Sequence, residues 1–420
     1  MDKVIFTLLC IYFVFYYNKK TKHSWKTPSS FLIMLYLISL TCAIVDIYIG
    51  YDIPYILDDK YWGSTILFII LLLAFILPFI SFREDLVDQF RFPSMRFLNI
   101  SSTVLIGLSL AAILYYIPSI RSVFSYGSLS EARDDRYYYE VSFVETGLTY
   151  TFFSVISSLF IFCILLFFIY YIIGGHKVRC GLLLLGSFSE TFHVLTEVGR
   201  DGIVFWLFTF LFFLFLFRNF ISEKKLKFIK NNFLIVIGII SIPFILISVS
   251  RFSENVFAGI VSYMGQQFKH FCYYTSLENA PTSSGYIFPL FWEILGMDRP
   301  ERAVFNYEFT DSGSFGTFMK SFIENISLIG TIIVSIVAGI FFKMGVGTIK
   351  RTMPLYTLIL YIMYFEVYGQ GVFYFRHYTR GGNLFIVLCV IGYMFFRVYD
   401  KSPNSVILNR VKRDKKNPQR

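Results

Sequence analysis

Glu190, His193, Glu197, Arg200 and Asp201 fall within or just beyond an otherwise apolar run from Cys180 to Gly199. At 3.6 residues per turn, their spacing of i, i+3, i+7, i+10 and i+11 stacks them along one side of a helix. A charged side chain at mid-bilayer costs about 2.5 to 3.5 kcal/mol on insertion scales, so such residues line a polar cavity or meet partners. Carboxylates and an imidazole can accept and return a proton, and a guanidinium can hold an anion. A structural seam, in which Glu197, Arg200 and Asp201 pair with one another, explains the same pattern without chemistry. Glu190 and His193, the deeper members, suit that structural reading best.

A second set is cationic. Arg251 opens the longest polar segment, Lys269 and His270 follow at helical spacing, Arg299 and Arg302 come later, and Arg376, His377 and Arg380 lie in Phe375–Gly382. With Arg200 these make a candidate outward-facing patch of guanidinium groups, suited to bidentate binding of phosphate or pyrophosphate. Taken singly, each is equally a lipid headgroup anchor. Tyr137 to Tyr139, Tyr273, Tyr274, Tyr286, Trp292 and Tyr307 could stack on sugar rings, but an ordinary interfacial aromatic belt accounts for them better at this tyrosine content. One Glu-x-x-His motif is half of a carboxylate-bridged di-metal signature, and the chain has five His, so no metal and no cofactor is expected. Walker, Ser-x-x-Lys, Gly-x-Ser-x-Gly and paired-Cys motifs are missing, which leaves ATP hydrolysis, serine nucleophiles and zinc without support.

These residues must be positioned by membrane helices. The chain has 420 residues, 56% hydrophobic, 20% aromatic and 16% charged, the composition of an integral membrane protein. The fold class expected is all-α and polytopic, one membrane domain over residues 1–400 followed by a basic tail at 401–420. Apolar runs at 3–17, 31–50, 62–82, 97–119, 147–173, 180–199, 202–218, 233–250, 326–342, 354–372 and 383–397 predict about eleven spans, with ten or twelve open because several runs are short or interrupted. Of the 38 Lys and Arg residues, 25 flank one set of span ends and 13 remain for the other. The positive-inside rule then puts the C-terminus in the cytoplasm and the N-terminus outside. The net charge of +10 is topology signal by this reading, not a nucleic-acid surface. The tail reads as solvated, within reach of anionic lipid. The segment 251–325, between the eighth and ninth spans, is the one long outer loop. Its first part, to Ser276, has the spacing of an amphipathic helix lying on the membrane, and its second part is rich in turn residues.

Three pieces of sequence carry a resemblance: Gly199-Arg200-Asp201-Gly202 heading an apolar helix, Arg251 opening the large loop, and Glu324-Asn325-Ile326-Ser327-Leu328-Ile329-Gly330 leading into the next span. With the layout of the whole chain, they resemble the Wzy-type oligosaccharide repeat-unit polymerases, relatives of the O-antigen ligases. The resemblance implies a bacterial inner-membrane glycosyltransferase of surface polysaccharide synthesis, O-antigen lipopolysaccharide or capsule, working at the periplasmic face. It implies an undecaprenyl-pyrophosphate-linked oligosaccharide as donor, a second lipid-linked repeat as acceptor, and a chain-length regulator as a further partner. Arg200 and Arg251 match the family's periplasmic arginines, while Arg376 and Arg380 join them on the charge argument alone. The ligase relatives have a His in the second half of the loop, where this chain reads Tyr307 to Ser312 without one. The base that takes the acceptor proton is therefore open among Asp311, His270, His377 and Glu197. Asp58-Asp59 occupies the place of an acidic catalytic residue in other lipid-linked-sugar transferases, and a solvated acidic turn explains it equally well. A flippase or transporter would also use intramembrane acidic seams and outer arginines, but no inverted repeat is visible.

Overall fold

A computed structural model of the chain describes residues 26–49, 62–127, 131, 132, 135, 147–251, 256–276, 285–300, 316–398 and 405–411. In hydrocarbon a backbone must satisfy its own hydrogen bonds, so long apolar runs resolve as helices. Seven of the described segments are long and apolar enough to cross a membrane: Pro28–Asp46, Gly63–Leu86, Met95–Phe124, Leu148–Ile173, Asp201–Phe220, Thr317–Gly345 and Arg380–Val398. Over the described residues the architecture is that of a predominantly helical multi-pass membrane protein. The expected first span, 3–17, lies outside the described residues.

The other expected spans take different forms. The run 180–199 is not one helix but two, α1 (Lys177–Gly186) and α2 (Ser189–Thr196). They part at Ser187, whose Oγ accepts the Trp206 indole N–H at 2.8 Å. The run 233–250 is the latter part of α3 (Glu223–Arg251). The run 354–372 is α4 (Leu355–Phe365), which widens into a π-helical stretch at Glu366–Gln370.

The segment read as a helix lying on the membrane is corrected by its packing. It forms α5 (Val256–Ser276), which is set into the bundle against Pro28–Ile49 and Trp62–Ser81. Ser39 donates to the Met264 carbonyl at 2.9 Å, and a Cβ on Gly265 would stand 2.5 Å from the Ala43 backbone nitrogen, so only glycine permits this helix crossing. Lys269 pairs with Asp46, both fully buried. Gln266, Gln267 and His270, on the same helix, are likewise buried inside the protein.

The sequence reading also missed a three-stranded sheet in which β1 (Gln89–Phe92) lies between β2 (Thr352–Pro354), parallel to it, and β3 (Val406–Asn409), antiparallel. Phe90 is in register with both Met353 and Leu408, and all three are buried. Part of the expected solvated tail is thus a strand, held by its apolar row. The sheet ties together three of the Lys- and Arg-rich connections. From it, the helix Arg380–Val398 runs about 28 Å, 19 residues at 1.5 Å each, to a cavity at the opposite end of the bundle.

Candidate functional site

The turn between α2 and the helix α6 (Asp201–Phe217) sets the site's floor. Val198 takes a left-handed conformation (φ 53°), and the chain folds so tightly onto α2 that Cβ atoms at Gly199 and Gly202 would approach Val194 side-chain atoms to 2.7 and 2.9 Å. This is the local reason for the Gly-Arg-Asp-Gly sequence. It turns α6 back beside α2 and leaves Glu197 at the end of one helix and Arg200 at the head of the other.

Facing this turn is the segment that follows the π-helical stretch. Gly316 and Thr317 backbone N–H groups donate to the Phe373 carbonyl at 3.2 and 3.0 Å, which pins the segment to the start of the Thr317–Gly345 helix. Arg376 then reaches inward. Its guanidinium pairs with Glu190 through Nη2, donates to Gln370 Oε1 at 2.8 Å through Nη1, and lies 4.6 Å over the Phe205 ring. Gln370 in turn donates to Glu366, whose carboxylate also accepts the Thr209 hydroxyl at 2.8 Å. A polar line thus descends from Glu190 into the bundle, every link a hydrogen bond or ion pair.

On the outer side of Glu190 the line continues to His193. His193 Nδ1 is 3.6 Å from Glu190 Oε1, and Nε2 is 3.1 Å from the Tyr150 hydroxyl. The same hydroxyl donates to Glu197 Oε1 at 3.4 Å. The imidazole is held between the rings of Tyr116 and Tyr150, at 5.2 and 5.7 Å. His193 and Tyr150 form part of the wall of a cavity of about 720 Å3, which Trp292, Arg299 and Arg380 also line. That volume lies within the range of small-molecule sites, roughly 300 to 1,000 Å3. At its rim Arg299 is stacked 3.6 Å over Tyr286 and donates to the Tyr378 carbonyl at 3.2 Å, while Arg380 Nε lies 3.0 Å from Glu293 in an exposed pair.

The expected site residues divide accordingly. Arg380 lines the cavity, and Glu197 stands behind it, bonded to the lining residue Tyr150. Arg376 is not part of an outward-facing patch, because Glu190 and Gln370 hold it inside the protein. Arg200 is 5% exposed and stacks 4.3 Å over Tyr263 of α5, so it too faces inward. His270 is buried within α5. His377 is buried face to face on Phe385, with 5.2 Å between ring centroids. Arg251 ends α3, and its side chain lies outside the described residues, as do Asp58, Asp59, Arg302, Tyr307 and Asp311. Glu190 and His193, set aside as structural from sequence, are where the inner line and the cavity meet. Their shared face with Glu197 was visible in the i, i+3, i+7 spacing. Tyr150 gave no comparable signal, one tyrosine in an apolar run.

Comparison with known proteins gives no matching family model, no matching curated protein and no matching solved structure.

Proposed function

We propose that the protein is a membrane glycosyltransferase that joins undecaprenyl-pyrophosphate-linked oligosaccharide repeat units into a surface polysaccharide, at the periplasmic face of a bacterial inner membrane. The observation that carries this reading is the cavity itself. It lies at the end of the bundle away from the Lys- and Arg-rich sheet, which by the positive-inside rule is the outer end. Its lining combines proton-transfer groups (His193, Tyr150, with Glu197 bonded to Tyr150) with two arginines and an indole, Arg299, Arg380 and Trp292.

Glycosyl transfer from a polyprenyl pyrophosphate needs these parts. The acceptor hydroxyl loses a proton as it attacks the anomeric carbon, and the leaving pyrophosphate needs cationic hydrogen-bond donors. Arg380, half exposed at the cavity rim in a pair whose small Coulomb gain is easily exchanged, is the residue best placed to receive that leaving group. The indole of Trp292 offers a flat apolar face for a sugar ring. A chain-length regulator would be a further partner.

Deletion of the gene, followed by electrophoresis of surface glycan and rescue with Arg380→Ala, tests the reading. A ladder reduced to a single capped repeat in the deletion, not restored by the variant, is the expected result. Complete loss of surface glycan, with lipid-linked repeats retained on the inner side, would replace polymerisation with translocation.

A further inference from the structure

We infer that His193 is the base that takes the acceptor hydroxyl's proton, through the Tyr150 hydroxyl, and that Glu190, clamped by Arg376, positions its imidazole. The inference rests on the glycosyl-transfer reading above. Among the described histidines, His193 is the one on the wall of this cavity; His377 is buried against Phe385, His270 lies inside α5, and His176 borders a separate cleft. Its two nitrogens have different surroundings. Nδ1 is turned toward the Glu190 carboxylate, 3.6 Å away, and Nε2 toward Tyr150 on the cavity side. A carboxylate beside one nitrogen favours the tautomer with its proton there, and leaves a lone pair on the other. Glu190 cannot swing away, because Arg376 holds it and Arg376 is itself held by Gln370. The carboxylate is one helical turn before the imidazole on α2, so a single short helix fixes both.

Tyr150 links Nε2 to the cavity. Its hydroxyl lies between two acceptors, His193 Nε2 at 3.1 Å and Glu197 Oε1 at 3.4 Å. It occupies the lone-pair side of Nε2, so a proton reaches the imidazole through it: the hydroxyl donates to Nε2 while Tyr150, which lines the cavity, accepts a proton from there in exchange. The acceptor hydroxyl oxygen then bonds to the donor's anomeric carbon as the bond from that carbon to the pyrophosphate oxygen breaks, its electron pair leaving with the oxygen. The hydroxyl proton passes to the Tyr150 oxygen as the Tyr150 proton passes to Nε2, and the imidazolium formed beside Glu190 later returns a proton to water by the same route.

The test uses the full chain in lipid vesicles with a purified lipid-linked repeat unit as both donor and acceptor. His193→Gln should lower turnover by about 10²- to 10⁴-fold with KM little changed. His193→Gly should be equally slow and should regain turnover when free imidazole is added. Glu190→Gln should lower kcat while leaving KM unchanged, the split expected of a positioning residue. Turnover of His193→Gln within about threefold of the unaltered protein would overturn the inference, as would a His193→Gly protein that elutes normally but gains nothing from imidazole. If His193→Gly fails to fold, the His193→Gln turnover decides alone. Unaltered protein that elongates while His193→Gln also elongates refutes only the base; unaltered protein that never elongates refutes the base and the polymerase reading together.

Discussion

Replacing Arg376 by Met removes the partner that holds Glu190, and the structure sets how much that should cost. Both side chains are nearly buried, at 12% and 8% exposure, so solvent does little to screen the pair or to solvate the carboxylate left behind. Breaking a buried ion pair from one side costs about 3 to 5 kcal/mol. Arg376→Met also removes the 2.8 Å bond to Gln370 while preserving much of the contact with Phe205, so the loss is polar more than steric. Glu190→Gln alone should destabilise by a comparable amount, because it leaves the guanidinium buried against a neutral amide. The double variant should lose less than the sum, by about 0.5 to 3 kcal/mol, since neither charge is then stranded. Denaturant titration of the purified protein in detergent, followed by tryptophan fluorescence, reads all three values. An Arg376→Met variant within about 1 kcal/mol of the unaltered protein, or strictly additive singles, would refute the claim that this pair is a buried, mutually dependent clamp.

Other outcomes follow from the same geometry. Gly265→Ala forces a Cβ against the Ala43 backbone and should cost about 1 to 3 kcal/mol, with a bulkier residue costing more; an unchanged melting temperature would mean that α5 does not cross Pro28–Ile49 so closely. Lys269→Met should destabilise by about 3 to 5 kcal/mol and Asp46→Leu added to it should recover most of that, measured by the same titration, because the charges are buried on each other. Arg380→Ala should change stability by less than about 1 kcal/mol, its pair with Glu293 being exposed, yet it should abolish chain elongation; parallel loss of folding would contradict a role in substrate binding.

Much of the fold was legible because the bilayer is a ruler. Apolar runs at 31–50, 62–82, 97–119, 202–218, 326–342 and 383–397 each fall on one of the long helices to within several residues at either end, apart from the added polar turns of Thr317–Gly345. What failed were readings that needed a partner from elsewhere in the chain. Lys269 and His270 look like outward-facing groups of a surface helix until Asp46 is known to lie opposite Lys269. The sheet was hidden because its strands are three or four residues long and come from positions near 90, 353 and 408. Only the alternation in Gln-Phe-Arg-Phe carried a strand signal. At the site, the spacing of Glu190, His193 and Glu197 was readable as one face. Arg376 was readable as a cation near the membrane, but that it turns inward to Glu190, 186 residues away, depends on the π-helical stretch and the Thr317 contact that steer its backbone. The arginine patch imagined from sequence was therefore sorted by the fold into an inner clamp, Arg376, a ring-stacked Arg200, and a rim residue, Arg380.

The most direct measurement of the central claim is reconstitution of the purified chain in vesicles with one radiolabelled undecaprenyl-pyrophosphate-linked repeat unit and no other protein. Formation of lipid-linked dimers and longer chains, with one polyprenyl pyrophosphate released for each bond made, is the predicted result. Movement of the intact lipid-linked repeat across the bilayer, with neither elongation nor released pyrophosphate, would contradict it.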